Sequence, residues 1–275
     1  MFCTDIHGNN RSYAAFFDRA VGHGVQAVVF GGDITVLPPR HNPGAVALQR
    51  DWISNFLGPA FRAFRRDHAG IQIYTMLGND DWTWNLDLFH ALEREGVCRL
   101  MHMKAQPFLD GLTIAGYSCV PMTPFFMKDL DRLDSNDWEP KTHPRRCCTS
   151  KDGKVTETPY KEIRERPTIE ADLAALGAMS DPRKTVYVIH TPPAYTKLDV
   201  IHNGEHIGSP ALRAFLEANE PPLALHGHVH ESPEMTGAMH DLVGRTFCVN
   251  PGDSLHELQA VLLDLGDPAG TLRRV

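Results

Sequence analysis

Six short blocks close apolar runs with polar side chains: Asp5-Ile6-His7-Gly8, Gly31-Gly32-Asp33, Gly78-Asn79-Asp80-Asp81, His190, Gly227-His228-Val229-His230 and Asn250-Pro251-Gly252. They offer carboxylates, an amide oxygen and imidazoles, and no thiolate. That mixture suits Mn, Fe, Co or Zn better than Ca or Mg, which prefer shells made wholly of oxygen. A carboxylate oxygen can bridge two cations and hold them about 3.5–4 Å apart. A water shared by two such ions loses a proton near neutral pH and can attack phosphorus in line. Any one block is a weak signal. Together they imply two metal ions side by side and the hydrolysis of phosphate esters.

Such ligands need a scaffold that brings distant blocks to one edge. Strand-like apolar runs fall at 26–30, 71–77, 112–115, 185–189, 223–225, 246–249 and 258–265. Between them, helical periodicity is read at 11–21, 45–66, 86–95, 169–179 and 210–218, the last opened by Ser209 as N-cap and Pro210 at the first helical position. This alternation predicts an α/β fold. Asp33, Asn79 and His190 each sit just past the carboxyl end of a predicted strand, where such folds place their ligand sites. Asp5 and His7 are two apart, as are His228 and His230, and in an extended segment that spacing turns both side chains to one face. The first strand is short, with Met1–Thr4 before Asp5, which leaves either a clipped strand or a start codon upstream of the recorded one. The stretch 120–167 has no sustained period and reads as a surface insertion in one domain spanning 1–275, with a role as a lid over the site.

Composition narrows the partners. The 275 residues are 42% hydrophobic and 22% charged, with a net charge of -7, ordinary for a globular protein and wrong for one that clings to nucleic acid. Bound cations would still attract a phosphate locally. No apolar run is long enough to span a membrane, and no secretory leader is visible. The six cysteines lack C-x-x-C spacing, and Cys147 and Cys148 suit a loop, so reduced thiols in the cytoplasm are expected.

The blocks resemble the calcineurin-like metallophosphoesterase family, whose pattern runs D-x-H, G-D, G-N-H-[DE], H, G-H-x-H. The resemblance spans Asp5 to about Gly252. It implies an αββα sandwich of two mixed β-sheets flanked by helices. It also implies a first metal held by Asp5, His7, Asp33 and His230, and a second held by Asp33, Asn79, His190 and His228, with Asp33 bridging. Further similarity to bacterial and archaeal phosphoesterases lies in His190-Thr191-Pro192-Pro193, Gly204-Glu205-His206-Ile207-Gly208-Ser209 and Asn250-Pro251-Gly252.

One position departs from the pattern. Where the family has a histidine that helps the leaving group depart, this chain has Asp80. An exposed Asp titrates near about 3.9, and nearby cations would keep it ionised, so it is a poor proton donor. Protonation then falls to water or to a pocket histidine, with His206, before a helix N-terminus, a better candidate than His202. The substitution inclines the substrate towards small phosphodiesters, nucleotide-like ones among them, over monoesters or phosphoproteins. Trp82 and Trp84 suit a core or rim position more than a stacking wall for a base. Lys141, Arg145, Arg146, Lys151 and Lys154 suit a solvated loop more than a grip on a second phosphate. His226 reads as a packing residue, and His23, His41, His68, His90, His102, His143, His240 and His256 as surface or turn residues. A scaffold without activity would have lost ligands, and all seven are present; a nuclease would carry a basic stripe, and none is seen.

Overall fold

In the computed structural model, residues 1–38, 42–140, 144–254 and 257–275 are described; His41, Lys141, His143 and His256 lie outside them. Among the described residues, twelve strands form two six-stranded mixed sheets, and four more form two two-stranded pairs. In the first, Phe2–Cys3, Ala27–Phe30, Gln72–Thr75 and Arg99–Leu100 run parallel, and Ala260–Leu262 and Arg273–Arg274 extend the Phe2–Cys3 edge in antiparallel fashion. In the second, Thr113–Tyr117, Thr185–Ile189, Leu223–Leu225 and Thr246–Val249 run parallel between antiparallel edges Lys104–Pro107 and His240–Val243. The expected sandwich of two mixed sheets flanked by helices is what forms.

Alternation explains why the central strands are apolar throughout. Val29 enters one cluster with Val186, Val188, Leu225 and Val249, which fills the space between the sheets. Val28 and Phe30 turn the other way and meet Tyr13, Phe16 and Phe61 of the helices Asn10–Gly22 and Gly58–Asp67. Tyr187 likewise meets Phe215 of the helix Pro210–Asn219, with ring centroids 5.2 Å apart. A strand buried on both faces needs apolar residues at every position.

Three readings need correction. The run 45–66 is not one regular helix: Ala45–Trp52 and Gly58–Asp67 are joined by a π-helical turn, Ile53–Leu57. The stretch 120–167 is not irregular. It holds paired strands Val120–Pro121 and Asp131–Arg132, a hairpin of Cys148–Lys151 and Lys154–Glu157, and the helix Tyr160–Arg164. Cys148 thus opens a strand, and Cys147 packs with Met122, Leu133 and Ile163 in a small core. Within it Lys128 and Asp131 pair at 2.5 Å, both wholly buried.

Candidate metal centre

Each ligand block leaves the carboxyl end of a parallel strand: Asp5 after Phe2–Cys3, Asp33 after Ala27–Phe30, Asn79 after Gln72–Thr75, His190 after Thr185–Ile189, and His228 after Leu223–Leu225. The expected convergence of paired ligands by strand alternation does not occur. Asp5, His7, Asp33 and His228 instead have left-handed backbones, with φ of 53°, 43°, 50° and 65°. For a residue with a Cβ that conformation costs about 1–2 kcal/mol, and the surrounding fold must offset it. Two cross-links help: the Asp5 amide donates to Gly32 O and the His7 amide to Asp33 O, both at 3.0 Å.

Residues outside the predicted ligand set brace these loops. The buried Asp81 carboxylate accepts from the amides of Ile34 (3.1 Å), Thr35 (2.9 Å) and Gly78 (2.8 Å), tying the Asp33 loop to the Asn79 loop. Asn250, also buried, donates through Nδ2 to Leu198 O and Val229 O, both at 3.1 Å, and so holds the turn that carries His228 and His230. Asp81 was legible only as the acidic last letter of its block, and Asn250 as an unexplained Asn-Pro-Gly. Close approach fixes the glycine in the Asn79 block: a Cβ on Gly78 would fall 2.3 Å from Asp33 Oδ1.

The side chains gather in two overlapping groups. One donor atom from each of Asp5, His7, Asp33 and His230 lies within 4.8 Å of the others, and the same holds for Asp33, His190 and His228. His230 Nε2 is 3.0 Å from Asp5 Oδ1, and His7 Nε2 is 3.4 Å from His230 Nε2. His190 Nε2 is 3.2 Å from both Asp33 Oδ2 and Asn79 Oδ1. His190 Nδ1 faces Gly31 O at 2.9 Å, to which it can only donate. In the neutral ring Nε2 is therefore a lone pair facing two oxygen lone pairs, an arrangement that a bound cation or a proton relieves. His7 Nδ1 is buried with no hydrogen-bond partner among the described residues. The donor set fits divalent metal ions.

The protein alone meets this crowding with protons. Burial pulls His190 and His230 down, but the carboxylates beside them more than offset it, Asp33 holding His190 at about 9 and Asp5 holding His230 at about 10. Burial likewise pushes Asp5 and Asp33 up, yet His230 and His190 bring each below the usual carboxylate range. Burial and the charge of His190 push His228 down to about 3, leaving a neutral imidazole.

Asp80 is not the exposed carboxylate expected. It is half-buried, and burial together with Asp33 raises it to about 7. Its amide donates to Asp33 Oδ1 at 2.7 Å. His206 stands on Asp199, Nδ1 to Oδ1 at 2.7 Å, with Tyr195 as its ring neighbour at 5.6 Å. Trp82 is buried with Ala45, Val46 and Cys148, a core position, whereas Trp84 is 43% exposed. His226 is buried and points Nδ1 at Ile189 O (2.9 Å) and Thr191 O (3.1 Å), a packing role as expected. His102 is not a surface residue: it is half-buried, burial lowers it to about 4, and its Nδ1 accepts from the Ser118 amide at 3.0 Å. Arg145, Lys151 and Lys154 are exposed, and Arg146 pairs with Glu157 at 3.1 Å. A recess of about 200 Å³ lined by Phe2, Ala27, Leu223 and Leu265 meets none of the ligands, because it opens where the strands begin.

A model of the calcineurin-like phosphoesterase family matches residues 1–232. The solved structure of TT1561 from Thermus thermophilus superimposes with a TM-score of 0.59 at 18% identity, covering 100% of this chain and 96% of that one. A second solved structure gives a TM-score of 0.62 at 17% identity over the same shares. At such identities these two show the fold alone. A structure described as a novel archaeal phosphodiesterase overlaps with a TM-score of 0.45 at 11% identity, again over 100% and 96%, too loosely to bear on this chain. No curated protein matches the sequence.

Proposed function

The chain belongs to the calcineurin-like phosphoesterase family, hydrolases acting on phosphoester bonds, and from that premise we propose that it hydrolyses small phosphate esters, diesters by preference, at a centre of two divalent ions. The observation that carries this reading is that Asp33 is common to both donor groups. Asp5, His7, Asp33 and His230 would hold one ion, and Asp33, Asn79, His190 and His228 the other, with Mn, Fe or Zn best suited to the donors. When bound, such ions supply Lewis acidity and an ionised nucleophile at neutral pH.

The chain's own residues orient that chemistry. Thr4 Oγ1 donates to Asp5 Oδ2 at 2.7 Å, and Gly31 O fixes the ring of His190, so one ligand of each ion has a brace behind it. The Asn79 amide donates through Nδ2 to Asp80 Oδ1 at 3.2 Å, which keeps Asn79 Oδ1 turned to His190. With Asp80 in place of the family's histidine, we assign protonation of the leaving group to His206, oriented by Asp199. Loss of the imidazole beside Asn79 supports diesters over monoesters, and a nucleotide-like ester is one such substrate. Six free, buried cysteines among the described residues support the cytoplasm. No helix among the described residues is long and apolar enough to cross a membrane.

The test is a panel of bis-aryl phosphate, aryl phosphate, cyclic nucleotides and a phosphopeptide, each with added Mn, Co, Zn or Fe. The proposal expects the bis-aryl phosphate to be cleaved with the highest kcat/KM. No cleavage with any metal defeats the hydrolase reading, and preference for the aryl phosphate or phosphopeptide defeats the diester reading.

A further inference from the structure

Beside the metal centre lies a recess that the metal chemistry does not use. It is small, with a cavity volume of about 50 Å³, room for one short substituent of a ligand rather than for a whole drug-sized molecule, whose sites span about 300–1,000 Å³. Leu37, Phe125, Phe126 and Met127 form its walls with Trp82, and Asp80 is its charged lining residue. Asp80 also joins the recess to the centre, because its amide donates to Asp33 Oδ1 at 2.7 Å. A phosphoryl group held by ions bound at Asp33 would therefore lie next to this hollow.

The walls are held from two directions. Leu37 follows the Asp33 loop, while Phe125–Met127 belong to the stretch 120–167. That second segment is pinned to the hairpin strand: the Cys148 amide donates to Phe126 O at 2.7 Å and the Lys128 amide to Cys148 O at 2.8 Å. Phe126 in turn meets the buried Trp82, ring centroids 6.3 Å apart. Leu37 at 52% and Phe125 at 41% exposure keep large apolar side chains in water at the mouth. An apolar mouth next to a reaction centre marks a binding surface more readily than a solubilising one.

Resting on the hydrolase reading above, we propose that this recess binds an apolar alkyl or aryl substituent of the phosphate ester, with Leu37 and Phe125 setting the preference. A nucleobase is the less suitable occupant, since its polar edges would meet apolar side chains and one carboxylate.

The experiment measures calorimetric binding of methyl-, butyl- and phenylphosphonate, and of a nucleoside phosphonate, to the Mn-loaded protein. Each methylene taken out of water should tighten binding about three- to fourfold, so butyl should exceed methyl by roughly thirtyfold. Leu37→Ser and Phe125→Ser, both at exposed positions and checked for folding by circular dichroism, should each cut that ratio to below about tenfold. A parallel series of alkyl 4-nitrophenyl phosphates should show the same trend in kcat/KM. Butyl and methyl binding within threefold, ratios unmoved by either substitution, or tightest binding of the nucleoside phosphonate would overturn the proposal. If the methyl compounds bind and are cleaved with no dependence on chain length, the recess assignment fails and the hydrolase reading stands. If nothing binds and nothing is cleaved, both fall.

Discussion

Gly227→Ala is a clean perturbation of the metal centre, because nothing in the glycine's own backbone forbids a side chain. The obstacle is space: the new Cβ would lie 2.1 Å from Thr4 Oγ1 and 2.3 Å from Asp5 Oδ2. Restoring an ordinary contact of about 3.5 Å needs shifts of about 1.4 Å and about 1.2 Å. Metal–ligand distances hold within about 0.2 Å, so Asp5 cannot stay a ligand where it stands. Overpacking should destabilise the fold by about 1–3 kcal/mol, and affinity for the ion at Asp5 should drop at least about tenfold. The ion at His190 and His228 should be less affected, since the nearest contacts of the added methyl are with Thr4 and Asp5. The assay is calorimetric titration with Mn, paired with urea unfolding. Gly22→Ala, where an added Cβ meets nothing within 4 Å, is the control and should change neither. Two sites of unchanged affinity in Gly227→Ala would refute the placement of Asp5 in the centre.

Three other outcomes follow from particular contacts. Lys128→Met strands the buried Asp131 carboxylate and should cost about 3–5 kcal/mol in urea unfolding, whereas Lys128→Met with Asp131→Leu should recover most of it; equal losses would contradict this. Asn250→Ala leaves the carbonyls of Leu198 and Val229 without their donor and should cost about 2 kcal/mol, with weakened metal binding in the same titration, because the His228–His230 turn loosens. His206→Ala should lower kcat about a hundredfold on diesters with poor leaving groups and little on those with good ones; an equal loss on both would remove the proton-donor role.

The strand Thr185–Ile189 was legible to the residue, since burial on both faces leaves an uninterrupted apolar run. The helices read at 11–21, 86–95, 169–179 and 210–218 end within two residues of those limits, and the last carried its own start signal: Ser209 caps it by accepting from the Leu212 amide at 3.0 Å. The hairpin inside 120–167 was missed because its strands are polar and half-exposed, so no apolar alternation marks them. Its turn did carry a signal: Asp152-Gly153, with φ of 51° and 73°, is the pair that a two-residue hairpin favours. The π-helical turn at Ile53–Leu57 leaves no mark on residue type. At the metal centre, ligand identities were readable because their chemistry is rare, but the left-handed turns that aim them were not. Asp80 shows the limit most plainly, since what raises it is burial and the charge of Asp33, distant in sequence.

The central claim is that Asp33 is shared by two ions, and metal stoichiometry tests it most directly. Protein stripped by chelator and titrated with Mn, with bound metal counted by elemental analysis, should take up two equivalents. Asp33→Asn should hold fewer than one tightly, because both groups lose a donor, while Asp5→Asn should retain one at His190 and His228. A wild-type protein that saturates at a single ion, or an Asp33→Asn protein that still holds two, would contradict the account.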